Sequence, residues 1–325
     1  MTELVTVDIG GTNARFAIAT VADDGTIDLG EVVTLGTRDY ASLRSAWEAF
    51  AERIGRPLPP RGGISFAGPV DGEVLKLTNS PWVVRKALIK SRLGLEDYVI
   101  VNDFGAVGYA VSRLKPEDLR HICGPDEPLP TEGVISIVGP GTGLGVAQLL
   151  RLDGLVHVIE TEGGHIEFAP LDPLEDRMLA IIRQKFRRVS VERLVSGPGL
   201  GNIHEALAAI EERSMRPIDD IALWKLALEG NDVLAAASLD RFCLALGAFA
   251  GDLALAHGAV ATVIGGGVGA RIADHLTDSG FHGRYTGKGR FEGRMSKLPV
   301  KLITHEQPGL LGAAAAFAER HLKKV

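Results

Sequence analysis

The sequence predicts an α/β protein of strand hairpins and helices, and three observations lead there. An order of strand, glycine turn, strand, turn, strand opens at Leu4 and returns at Val134, with slight identity between the copies. Segments of helical period separate and follow these hairpins and dominate the second half. Short apolar runs end in glycine clusters at 10–11, 139–145 and 265–269. The length of 325 residues accommodates two ordinary domains or one large α/β unit.

Residues 4–9 read as a strand, Gly10 and Gly11 turn the chain, and 14–20 return as a second strand. Asp23-Asp24-Gly25 turns it again into a third strand over 27–35. Leu43, Trp47, Phe50 and Ile54 recur at helical spacing, so 43–54 is an amphipathic helix. The proline-rich 56–60 is a loop, 63–67 a buried strand ending at Gly68-Pro69, and 98–101 a strand stopping at Asn102-Asp103. Helix follows over 104–114, and 121–132, rich in proline, glycine and acid, reads as a boundary loop.

Strands over 134–138, 146–150 and 155–160 then repeat the opening order, turned by 139–145 and by Asp153-Gly154. Asp172-Pro173-Leu174-Glu175 combines a capping acid, a proline at the first helical position and a glutamate three residues past the cap. Its helix places Met178, Ile181, Ile182 and Phe186 on one side. Helices are expected over 201–211, 221–228 and 234–257, and in the last Gly247 and Gly251 admit another backbone closely. A strand over 260–264 opens onto Gly265-Gly266-Gly267 with helix over 270–276, and a helix over 310–322 ends the chain behind Pro308.

Composition excludes several classes. A net charge of −6 argues against a nucleic-acid surface. The basic run Lys185-Phe186-Arg187-Arg188 closes a helix, where cations meet the carbonyl end of the macrodipole. Cys123 and Cys243 stand far apart in no metal spacing, as buried thiols in a reducing cytoplasm do. No basic, apolar leader precedes the first strand, so no export signal is expected. Residues 244–269 are apolar enough to raise a membrane span, but Asp252, His257 and many glycines interrupt them. A buried helix running into a buried strand is the expectation, with no membrane partner.

Glycine supplies positive φ and lets backbone amides approach an anion without a Cβ between them. Three such clusters at strand ends point to a nucleotide cleft. A P-loop is excluded, since no G-x-x-x-x-G-K-[ST] occurs. Gly265, Gly267 and Ala270 match the dinucleotide pattern, but near the chain end, without the following strand and ribose-binding acid. What remains is phosphate held by β-hairpin turns, with Asp8 beside it and able to hold Mg²⁺ through water. Asp103 reads equally as a base at a strand end or as a helix cap, with Asn102 the other capping candidate. Glu160, Glu162, His165 and Glu167 raise a metal site, but Gly163-Gly164 break the alternation and no H-E-x-x-H spacing appears.

Asp8-Ile9-Gly10-Gly11-Thr12 resembles the first phosphate loop of the actin and hexokinase superfamily. Gly139-Pro140-Gly141-Thr142-Gly143 resembles its second, and Gly265-Gly266-Gly267 its adenosine loop. With Leu77-Thr78-Asn79-Ser80-Pro81-Trp82, Val101-Asn102-Asp103-Phe104-Gly105-Ala106, Glu160-Thr161-Glu162-Gly163-Gly164-His165 and Leu194-Val195-Ser196-Gly197-Pro198-Gly199, essentially the whole chain resembles the bacterial ATP-dependent glucokinase family. The related ROK sugar kinases and repressors usually carry a cysteine-rich zinc motif after the glycine-histidine segment. No cysteine stands there, which implies no structural zinc.

The resemblance implies a two-lobed ribonuclease H-like fold with mixed sheets flanked by helices: a small lobe of 1–112 plus 308–325, a large lobe of 113–307, and substrates in the cleft between. It implies ATP with Mg²⁺ as donor, D-glucose as acceptor, a cytoplasmic enzyme and a homo-oligomer, most simply a dimer. Asp103 is then the proton acceptor, and Asn102, Asp103, Glu162, His165 and Glu192 the sugar ligands, with Asn79 bordering the same pocket. ATP falls to Asp8, Gly10, Gly11, Thr12, Asn13, Gly139, Gly141, Thr142, Gly143, Gly265, Gly266 and Gly267, with Mg²⁺ at Asp8 through water.

Overall fold

A computed structural model describes residues 1–77, 80, 82–214 and 217–323; Asn79 lies outside the described residues. The chain divides into two compact units, Met1–Lys115 with Val156–Glu160 and His305–Val325, and Pro116–Leu155 with Thr161–Thr304. Each has its own sheet and apolar core.

In the first unit the strands are β1 Thr2–Ile9, β2 Asn13–Val21, β3 Ile27–Leu29, β4 Val33–Gly36, β5 Arg61–Phe66, β6 Val74–Lys76, β7 Val83–Arg85 and β8 Asp97–Asn102. The main sheet runs β3-β2-β1-β5-β8 with β4 also on β2, and β6 pairs with β7 alone. β1 and β2 are antiparallel, while β5 is parallel to both β1 and β8, so the sheet is mixed. The stretch 27–35, expected as one strand, is two. Leu29 pairs with Ala19 but Val33 pairs with Phe16, so the three residues between on one side oppose two on the other. The odd residue interrupts the ladder near Gly30, as a bulge does.

The helix Leu43–Ile54 forms where its spacing places it. Ser42 caps it, accepting from the Ser45 amide, and Gly55 ends it at φ 68°. Its buried face packs on β2: Phe16 meets Phe50 at 5.3 Å and Trp47 at 6.3 Å between ring centroids. The helix Pro308–His321 covers β1 and β5. A Cβ on Gly63 would fall 2.4 Å from the Ala313 carbonyl oxygen, so glycine is required there.

The second unit holds β9 Leu119–Cys123, β10 Gly133–Pro140, β11 Leu144–Leu152, β13 Ala261–Ile264 and β14 Val300–Ile303; a strand between them, β12 Leu155–Thr161, lends Val156–Glu160 to the first unit. β10 lies between antiparallel β11 and parallel β13, then β14, then antiparallel β9. The start of 121–132, expected as loop, is therefore strand. β9 pairs with β14, whose buried Lys301 reaches out of the sheet to Asp126 in that same acidic stretch. Residues 270–276 are not one helix either: Gly266–Arg271 and Ala273–Asp278 meet at Ile272.

The helix Val233–Ala256 is long and apolar enough to cross a membrane, but most of it is buried in this unit's core. Gly247 and Gly251 admit the helix Phe281–Thr286. Cβ atoms there would lie 2.4 Å from the Phe281 oxygen and 2.3 Å from the Tyr285 oxygen.

Candidate active site

The first glycine turn joins β1 to β2 with no helix after it. The Gly10 amide donates to the Asn13 carbonyl at 2.9 Å, closing the turn and leaving Thr12 and Asn13 exposed. Thr37, wholly buried, holds the turn from outside: its amide donates to the Thr12 carbonyl and its hydroxyl to the Gly11 carbonyl, both at 2.9 Å. These bonds engage carbonyl oxygens, so amides of the turn remain available to an anion.

Asp8 stands one residue before the end of β1, opposite Arg15 in the hairpin register. Its Oδ1 accepts from the Ser65 hydroxyl at 2.7 Å, and Oδ2 lies 3.5 Å from the Arg15 guanidinium. A Cβ on Gly309 would lie 2.6 Å from Asp8 Cγ, so the carboxyl sits against the first turn of the helix Pro308–His321. Burial raises the pKa of Asp8 despite Ser65 and Arg15.

Asn102 ends β8 and caps the helix Asp103–Val111. Its Oδ1 accepts from the Phe104 amide at 2.9 Å and the Gly105 amide at 3.4 Å, and its Nδ2 donates to the Gly68 carbonyl at 3.0 Å. With the cap supplied by Asn102, Asp103 is spared that role and accepts from the Phe104 amide at 3.0 Å. Asp103 keeps solvent access, yet dehydration on its protein side, then the charge of Asp8, raises its pKa to about 6. A carboxylate tuned so is ionised at neutral pH and a far better proton acceptor than a free aspartate.

In the second unit the β10–β11 hairpin ends at the pair Pro140 and Leu144, and the Gly141 amide closes its turn on the Gly143 carbonyl at 2.8 Å. Gly197 donates to the Gly141 carbonyl at 2.7 Å, and Gly265 to the Val138 carbonyl at 2.9 Å. Gly266, at φ 77°, passes so near that a Cβ would lie 2.4 Å from the Pro140 oxygen. Three glycine segments thus gather round one turn. The third is a strand-to-helix turn, not a hairpin, with Gly265 preceding Gly266–Arg271.

The same hairpin anchors the other candidates. Glu192 Oε2 accepts from the Leu144 amide at 2.9 Å, while Gly164 packs on the Leu144 carbonyl, 2.1 Å from where its Cβ would be. The Val191 amide donates to the Ile166 carbonyl at 2.9 Å, tying the two segments together. Glu162 precedes the turn Gly163–His165 and His165 ends it, both exposed, with carboxylate and imidazole 3.9 Å apart. Among the described residues, no group of three or more His, Cys, Asp or Glu is placed to hold a metal ion.

Asp8, Gly10–Asn13, Asn102 and Asp103 therefore belong to one unit. Gly139–Gly143, Gly265–Gly267, Glu162, His165 and Glu192 belong to the other. Sequence reasoning missed Thr37, Ser65 and Gly309, which support the first set. Ser65 alone carried a signal, as a polar residue inside an apolar strand.

The family model for glucokinase matches residues 5–320. The chain belongs to the glucokinase family. The glucokinase of Zymomonas mobilis subsp. mobilis is 63% identical over 319 residues, covering 98% of each chain. The crystal structure of a glucokinase from an Antarctic psychrotroph superposes with a TM-score of 0.89 at 32% identity, covering 98% of this chain and 99% of that one. A ROK family glucokinase from Streptomyces griseus, solved with glucose and AMPPNP, shares the fold, with a TM-score of 0.61 at 21% identity over 97% of this chain and 99% of its own. The family membership and the mixed α/β sheets agree with the hexokinase-type fold expected from the glycine turns.

Proposed function

We propose that this chain transfers the γ-phosphoryl group of ATP to the 6-hydroxyl of D-glucose, giving glucose 6-phosphate and ADP. The observation that carries the reading is Asp103: a solvent-accessible carboxyl with a pKa of about 6, fixed at a helix start beside Asp8. Asp103 accepts the hydroxyl proton as the sugar oxygen bonds to the γ-phosphorus and the bond to the ADP oxygen breaks. Such a base contributes about 10²- to 10⁴-fold, and the greater part of the acceleration falls to positioning and charge neutralisation.

The turns Gly10–Asn13 and Gly139–Gly143 offer the donor phosphates those amides that their own closing bonds, from Gly10 and Gly141, leave over, and Gly265–Gly267 leave room for the nucleoside. Asp8 fits Mg²⁺ held through water. Mg²⁺ keeps several waters and takes one or two carboxylates, and one Asp8 oxygen is already engaged by Ser65. Bound there, Mg²⁺ would neutralise phosphate charge. Glu162 and His165, both exposed, suit vicinal hydroxyls, as does the second oxygen of Glu192. Asn102 gives one Nδ2 hydrogen to Gly68 and its Oδ1 to its own helix, so it fixes Asp103 and keeps its second Nδ2 hydrogen for a sugar oxygen. We take the enzyme to be a cytoplasmic homodimer, a state that sedimentation velocity checks.

The test is an ADP-coupled assay over a panel of hexoses and amino sugars. Glucose should give the highest kcat/KM, and a sugar lacking one recognised hydroxyl should lose about 5- to 150-fold, as one unpaired buried group costs about 1–3 kcal/mol. Asp103→Asn should bind both substrates and lose about 10²- to 10⁴-fold in kcat. Near-normal turnover in that variant overturns the role of Asp103, and a different preferred sugar overturns the specificity.

A further inference from the structure

Asn102 and Asp103 are held by a side chain so far without a role. Glu160 lies in the part of β12 that packs with the first unit, and its Oε1 accepts from the Asn102 backbone amide at 3.2 Å. The same carboxylate fills the space over Gly105: a Cβ there would lie 2.0 Å from Glu160 Oε1 and 2.6 Å from its Cδ. Two residues earlier, Val158 does the same over Gly108, 2.6 Å from where its Cβ would be. Residues two apart on a strand share a face, and residues three apart on a helix share a side. One face of β12 is thus matched to one side of the helix Asp103–Val111.

We infer that Glu160 is a positioning residue for phosphoryl transfer, fixing the Val101–Asn102 peptide and with it the start of the helix that directs the Asp103 carboxylate. The inference rests on Asp103 being the proton acceptor. The Asn102 side chain bonds to its own helix and to Gly68; the bond from Glu160 alone, among those described, fixes its backbone amide. Glu160 is partly dehydrated, and Asp71 adds negative charge nearby; both raise its pKa, and the Asn102 amide opposes them. A carboxylate kept there is satisfied by the amide it holds and by the positive end of the helix.

Misplacement by an ångström at a reacting group costs up to about 10²-fold, so Glu160→Ala should lower kcat about ten- to a hundredfold, with KM for glucose and ATP within about threefold. Glu160→Gln keeps an oxygen acceptor and should recover most of that loss. Gly105→Ala drives a methyl into the carboxylate and should cost kcat in the same way. The double variant Glu160→Ala with Gly105→Ala should then be no worse than Glu160→Ala alone, because both act through one contact.

Thermal unfolding of each variant accompanies the kinetics. A loss of kcat that Gln restores at unchanged melting temperature marks positioning. Three outcomes overturn the inference: Glu160→Ala turning over within about twofold of the parent, Gln failing to rescue, or losses that multiply in the double variant. A failure of the functional reading is separately visible, because the parent would then form no ADP with glucose or Asp103→Asn would remain active.

Discussion

Two carboxyls at the ends of β1 and β8, Asp8 and Asp103, share one electrostatic problem. Asp8 is more deeply dehydrated, and its pKa is raised by burial; Asp103 is raised to about 6 by dehydration and then by Asp8. The proton acceptor works only when ionised, so kcat/KM for glucose should fall as pH drops through about 6. The sign of the coupling makes a second statement. Negative charge at Asp8 disfavours ionisation of Asp103, so Asp8→Asn should move the acidic limb to lower pH even as it lowers the maximum rate. A pH–rate series on parent and variant measures both, and an unmoved limb would assign the titration to another group. The same sign governs stability. A raised folded-state pKa favours the protonated form, so the stability Asp103 contributes is complete below about pH 4 and declines as pH rises through about 6. A well-placed base is held here at the expense of the fold, as functional groups commonly are.

Elements explain why such placement is possible, and glycine contacts show it best. Gly247 and Gly251 let the long helix Val233–Ala256 meet the backbone of Phe281–Thr286. Gly247→Ala would force a methyl to 2.4 Å from a carbonyl oxygen, so the helices must separate, costing about 1–3 kcal/mol. Guanidinium titration should show a lower midpoint for that variant at unchanged slope; an unmoved midpoint would mean the helices yield freely. This contact was legible because glycine four apart in an apolar helix has few other uses. The helix Leu43–Ile54 was equally legible from its spacing, and Pro173–Lys185 from spacing and from Asp172 at its cap. The bulge near Gly30 was not, since both pieces of that strand are apolar and only the count against β2 separates them. Nor were β9 and β14 legible: four or five residues hold too little alternation, and Lys301 inside β14 reads as surface until its ion pair with Asp126 is seen. In the candidate site the glycine turns and Asp103 announced themselves by motif. Thr37 and Gly309 did not, and Glu160, though inside a motif, did not reveal its partner, because each acts through a neighbour distant in sequence.

At the scale of the whole molecule, chain order and spatial order part company. The first unit begins at Met1 but is completed by the last helix, Pro308–His321, which buries Leu310, Leu311, Phe317 and its run of alanines. Thr6 in β1 donates its hydroxyl to the Leu310 carbonyl at 2.7 Å, Gly63 in β5 admits the Ala313 backbone, and Arg113 pairs with Glu319. Burying Leu310, Leu311 and Phe317 alone stabilises the unit by about 1.5–3 kcal/mol each, which together approaches the whole margin of about 5–15 kcal/mol by which a domain is folded. Residues 1–115 should therefore not fold without the far end of the chain. The second unit has no such debt to that helix, since its core cluster runs from Ile122 to Leu302. A chain ending at Thr304 should accordingly lose glucose phosphorylation and become sensitive to trypsin within residues 1–115, while fragments spanning 116–304 persist. Adding a peptide of residues 305–325 should restore protection to the first unit if that helix is what it lacks. Protection of residues 1–115 in the shortened chain, without the peptide, would show that the β1–β5 sheet is stable uncovered and that the terminal helix only supports Asp8.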